Sequence, residues 1–164
     1  MNSFLLRYLQ KLALCFWLGE MLFFIIVFAP RVFKVLPRDH AGTLQNSIFP
    51  AYFTVGIVCA VIVIATQMGL IRKSLKGIYW AKATVAESRG PGRRYGPLIL
   101  ATFCGLLFAY CLTAIVPALA DIQPLLVNGT ATDVQTADFQ SLHKLSVGIN
   151  GVVLIGLLVL LGLL

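Results

Sequence analysis

The chain has 164 residues, 59% of them apolar and only 12% charged, and its mean hydropathy is +0.91. An ordinary soluble domain carries about twice that charged fraction, and the length suffices for one compact unit, read here as a single transmembrane domain over 1–164. The net charge of +7 invites a nucleic-acid partner, but the basic residues are spread as loops of a membrane protein spread them, so no nucleic acid is expected.

Four apolar runs each approach the roughly 20 residues needed to cross ~30 Å of hydrocarbon. They lie at about 5–29, 48–71, 97–120 and 145–164. The predicted fold is all-α, a polytopic integral membrane protein built as a four-helix transmembrane bundle with the lipid bilayer as its first partner.

The first run begins near Arg7 and Lys11, as a signal peptide would. Its apolar part outlasts the ~7–15 residues of such a peptide and ends in Ala29-Pro30-Arg31 without a small-x-small pattern, so it is read as a retained helix. Inside it, "CFWLGEMLFFIIVFAP" sets one carboxyl group, Glu20, among lipid-compatible side chains. In the connection that follows, Pro37 favours an extended residue before it. Asp39 is expected to cap a helix that includes Ala41 and Gly42, continues into the second run and is kinked at Pro50.

The segment from Arg72 to Gly96 holds seven of the thirteen Lys and Arg residues and one acid, Glu87. Basic loops stay in the cytoplasm, which puts both termini there and predicts a bacterial inner membrane. Arg31, Lys34 and Arg38 in the first external connection run against the rule. Leu75, Ile78, Tyr79, Lys82 and Ala86 make one helical stripe. It fits either a short helix lying on anionic lipid or an extension of the second helix.

In the third run Ala101, Gly105 and Ala109 form a small-residue ridge that lets helices approach closely. Gly148 and Gly151 make a similar shallow place on the fourth. The connection between these two runs is polar and turn-rich, with an Asn128-Gly129 turn expected.

Depth connects the polar residues. At ~1.5 Å per residue, Glu20 lies about 13 Å below Ala29, Asn150 about 10 Å below His143, Thr113 about 10 Å below Ala120 and Thr54 about 9 Å below Ile48. All four fall in the predicted outer half. Phe139, His143, Ser146 and Asn150 share a narrow arc of the fourth helix, and Trp17, Glu20, Phe24 and Arg31 share a face of the first. If those faces meet, Glu20 looks across at Ser146 and Asn150. A mid-span carboxyl is costly unless paired, hydrated or neutral. Glu20, Thr54, Thr113, His143, Ser146 and Asn150 are therefore the candidate ligand-binding layer, with Glu20 as either a relay or binding group or a neutral clasp between helices.

His143 and His40 lack a nearby Cys or acid at ligand spacing. Cys15, Cys59, Cys104 and Cys111 are scattered in depth and read as small hydrophobes. Nucleophile elbows, phosphate-binding glycine loops and H-E-x-x-H motifs are absent. No catalytic residue, metal site or cofactor is expected.

"WLGEMLFFIIVFAPRVFKVLPRDHAGTLQNSIFPAYFTVG" followed by "DFQSLHKLSVGIN" resembles the transmembrane-protein-205-like family of small four-helix membrane proteins, catalogued as a domain of unknown function. The resemblance runs from Trp17 through the fourth helix and rests on Trp17, Gly19, Ala29-Pro30, Phe33, Ala41-Gly42, Phe49, Tyr52-Phe53 and the series from Phe139 to Asn150. It implies an integral membrane protein without an established activity. Two alternatives stay open beside a ligand-binding membrane protein: a haem-binding redox protein, and a non-catalytic subunit or assembly factor that uses a membrane-protein partner or a second copy of itself.

Overall fold

The computed structural model describes residues 2–80 and 91–164, without the side chains of 38–39, 76–80 and 91–94. Four long helices run antiparallel to their sequence neighbours and form an all-α bundle. They are α1 (Ser3–Val35), α2 (Arg38–Trp80), α3 (91–127) and α4 (Asp133–Leu163). Each is long and apolar enough to cross a membrane. Both chain termini lie at one end of the bundle, and the links 36–37 and 128–132 lie at the other.

The helices outrun the apolar runs mainly at the link end. The third connection, expected as a long polar loop, is helical except over 128–132, because local hydrogen bonds close it. Leu125 O accepts from the amides of Thr130 and Ala131 at 2.9 and 3.1 Å. Gly129 takes a positive φ of 67°, the left-handed turn glycine makes without strain. Thr132 and Gln135 then form a reciprocal capping box that starts α4.

At the first link, Leu36 is extended with φ −107° and ψ 147°, as Pro37 requires. The next helix starts at Arg38, so Asp39 lies within its first turn and not at the cap. The helix carries Ala41 and Gly42 and continues through Pro50. Its backbone remains helical to Trp80, which follows the extension alternative that far. The stripe from Leu75 to Ala86 lies largely outside the described residues.

Helices α1 and α3 share a device. Each contains a π-helical turn, Phe23–Phe28 in α1 and Cys111–Ile115 in α3. Each turn ends two residues before a proline, Pro30 or Pro117. Proline lacks the amide for an ordinary helical bond, and its ring crowds the carbonyl four residues back. Here the residue before each proline donates five residues back, Ala29 to Phe24 and Val116 to Cys111. The wider turn therefore carries the chain past the proline without breaking the helix.

An interlocked aromatic cluster fills the middle of the bundle. Trp17 meets Phe108 edge-on at 5.4 Å, Tyr52 lies 4.7 Å from Phe24 and 5.6 Å from Phe108, and Phe53 meets Phe108 at 5.1 Å. Edge and tilted contacts of this kind add to the area buried. Gly56 is what admits them. A Cβ there would collide with the Phe108 ring and stand 2.8 Å from Trp17 Nε1.

Toward the termini, Val63, Cys104, Val153, Leu157 and Leu160 continue the core. The ridge on α3 is used, since Gly105 lies against Ala60 of α2 and Ala101 is fully buried. The fourth helix differs from expectation. Nothing lies within 4 Å of a Cβ at Gly148 or Gly151, because both face away from the core. Gly156 is the close-packing glycine, with Cys104 Sγ 2.7 Å from where its Cβ would be.

Candidate functional site

The predicted faces of α1 and α4 come together through a residue of α2. Tyr52 donates its hydroxyl to Asn150 Oδ1 at 2.7 Å, and Asn150 Nδ2 donates to the carbonyl oxygen of Ser146 at 2.9 Å. Ser146 is buried. The Glu20 carboxyl lies within electrostatic reach of both Tyr52 and Cys59, and Cys111 within reach of Tyr52. Three of the six candidate residues, Glu20, Ser146 and Asn150, thus gather around Tyr52.

The other three lie elsewhere. Thr54 and Thr113 share the depth but not the direction. Both are exposed on the outside of the bundle and donate to their own helices, Thr54 to Pro50 O at 2.6 Å and Thr113 to Ala109 O at 2.8 Å. Depth was legible from residue counting, whereas azimuth was not, and at Thr113 the π turn also shifts the register. His143 is half-buried one turn toward the link end, with its ring stacked parallel to Phe139 at a centroid distance of 6.5 Å. Arg31 and His40 are exposed. Among the described residues no three His, Cys, Asp or Glu side chains stand together, and the four cysteines are free.

Two atoms of this layer stand out. Among the described residues, Trp17 Nε1 and Glu20 Oε2 are the buried side-chain polar atoms without a hydrogen-bond partner. One is an obligate donor and the other belongs to a carboxyl group, and they project from the same face of α1, three residues apart. Trp17 is fully enclosed, so no lipid or solvent group satisfies its N–H from outside. An unmade bond on a buried group of this kind costs about 1–3 kcal/mol. The layer therefore combines a satisfied chain, Tyr52–Asn150–Ser146, with an unsatisfied indole donor beside Gly56 and an unsatisfied carboxyl oxygen of Glu20.

Tyr52 is the residue that sequence reasoning missed as a polar participant. The available signal was a tyrosine well inside an apolar run, whose hydroxyl needs a buried partner. Also unanticipated was a second polar pair nearer the termini, where Gln10 Nε2 donates to Gln67 Oε1 at 2.8 Å.

Comparison with known proteins places three of the four helices in one family. The domain of unknown function DUF4149 matches residues 12–123, a stretch that contains Trp17, Glu20, Tyr52 and Phe108 and ends before α4. A protein of Aquifex aeolicus (strain VF5), described as an uncharacterized protein, is 46% identical over 52 residues, which is 30% of this chain. The match spans 39% of that protein's length, well under two thirds of it. No solved structure matches. The chain belongs to the DUF4149 family of proteins with a domain of unknown function.

Proposed function

We propose that this protein is a non-catalytic, multi-pass protein of a bacterial inner membrane that holds a small ligand or ion in the layer formed by Trp17, Glu20, Tyr52, Ser146 and Asn150. The observation that carries the reading is the pair of unpartnered buried atoms, Trp17 Nε1 and Glu20 Oε2, in one layer of the bundle. Buried polar groups normally find partners, and an intramembrane acid is functional by default. A small species that both accepts from the indole N–H and bonds the carboxyl group would satisfy both atoms at once.

The orientation belongs to the same reading. With both termini cytoplasmic, the Arg72–Gly96 segment faces anionic lipid on the inner leaflet, and the polar layer falls in the outer half. The resemblance to the transmembrane-protein-205-like family from Trp17 onward supports a membrane protein without a reaction of its own, and no catalytic step is assigned.

The test is to purify the protein, release and identify bound small molecules and ions, and repeat the measurement on Glu20→Gln and Trp17→Phe. The wild type should release a species that both variants lack and should lose thermal stability when that species is exchanged away. A ligand at a hundred times its dissociation constant contributes about 2.7 kcal/mol to apparent stability. If wild type and variants release the same species and respond alike to exchange, the site reading fails. Should Glu20→Gln instead destabilise the protein with nothing bound in either form, the carboxyl group is a clasp between helices.

A further inference from the structure

On the outer surface between α3 and α4 runs an open groove of about 440 Å³, lined by Phe103, Leu107, Leu145, Gly148, Ile149 and Val152, with Lys144 among its lining residues. Its shape follows from the missing side chain at Gly148, where nothing lies within 4 Å of the point a Cβ would occupy. The walls are apolar side chains, and Lys144 is the sole charged group among them. Lys144 is exposed and forms no ion pair among the described residues.

The positions along α4 match the layers of a bilayer. Over 145–164 the helix carries no charged side chain, and at 1.5 Å per residue this stretch covers about 30 Å, enough to cross the hydrocarbon core. Lys144 therefore stands at the headgroup level of the leaflet on the link side. From Lys144 to Val152 the groove descends about 12 Å into the hydrocarbon. A cation at phosphate height beside an apolar channel at acyl height fits one kind of molecule.

We infer that this groove binds an anionic glycerophospholipid, with one acyl chain along Gly148 between Phe103 and Val152 and the phosphate on the Lys144 ammonium. The site is separate from the polar layer, since Ser146 and Asn150 point into the bundle while Lys144, Gly148 and Val152 point out of it. Its occupancy does not depend on any ligand at Glu20. A zwitterionic lipid would fill the apolar part and gain less from Lys144, because its own ammonium competes for the phosphate.

Native mass spectrometry of the protein released from detergent tests the assignment, with phosphatidylglycerol and phosphatidylcholine of identical acyl chains as the probes. The wild type should retain phosphatidylglycerol about fivefold better, the factor one lysine contributes at an anionic lipid surface. Lys144→Gln should abolish that preference. Gly148→Leu, which fills the groove, should reduce retention of both lipids. Gly151→Leu serves as the control for folding and added bulk, because Gly151 is equally unopposed but does not line the groove, and it should retain lipid as the wild type does. Equal retention of the two lipids by the wild type, or an unchanged preference in Lys144→Gln, overturns the inference. A wild-type dimer that Gly148→Leu disperses, with no lipid retained, also overturns it and assigns the groove to a second copy of the chain.

Discussion

Two of the bundle's polar spots are built to different standards. Near the termini, Gln10 and Gln67 are buried and bonded to each other at 2.8 Å. In the middle, Tyr52, Asn150 and Ser146 are bonded in series, yet Trp17 Nε1 and Glu20 Oε2 beside them have no partner. The Gln10–Gln67 bond ties α1 to α2 at that level. A buried donor and acceptor left open in one layer keep hydrogen-bonding capacity unused, and that contrast is the reason to look for a ligand at Glu20 and not at Gln10.

The contrast can be broken or sharpened by substitution, read as unfolding free energy in mixed micelles. Trp17→Ala should have the largest effect, a loss of about 3–5 kcal/mol, because it empties the centre of the aromatic cluster. A loss under 1 kcal/mol would mean that the cluster is not the core it resembles. Gly56→Ala comes next. Its Cβ meets the Phe108 ring and Trp17 Nε1, and overpacking of this sort costs about 1–3 kcal/mol.

Smaller effects separate the two polar spots from each other. Gln10→Leu should cost about 0.6–1.7 kcal/mol, the range of interhelical hydrogen bonds in membranes. Adding Gln67→Leu should recover part of that loss. The middle layer should behave in the opposite way. With any ligand exchanged out, Trp17→Phe removes an unpaired donor and should leave stability unchanged or raise it slightly, whereas the same change in freshly purified protein should lower it. If Trp17→Phe is costly in both states, the indole N–H has a protein partner. Thr54→Val should be smallest, within about 0.5 kcal/mol, since its hydroxyl bonds only its own helix.

How much of this could be read from the sequence depended on the kind of signal. The number of helices able to span a membrane and the all-α class followed from hydropathy and the rise of a helix, which act locally. Glu20 and Asn150 were read onto facing sides of their helices by periodicity, and Tyr52 of α2 stands between them, bonded to Asn150 and within electrostatic reach of Glu20. Thr54 and Thr113 were misplaced because depth says nothing about rotation around the helix axis, which only packing fixes. Gly148 and Gly151 were read as packing sites for the same reason, and Gly156, which is such a site, looks no different in the sequence. The short link at 128–132 was hidden by polar residues that belong to the ends of helices standing beyond the apolar core.

The π turns of α1 and α3 set the direction of the link-end segments. Both begin against Tyr52: Phe24 packs on its ring and Cys111 lies within its electrostatic reach. A π turn holds one surplus residue, and that surplus swivels everything beyond it by about 100° relative to an uninterrupted helix. The segments Ala29–Val35 and Val116–Val127 are therefore rotated relative to the halves of α1 and α3 that lie nearer the termini. That rotation, set at the level of the middle layer, decides which side chains reach the link-end surface.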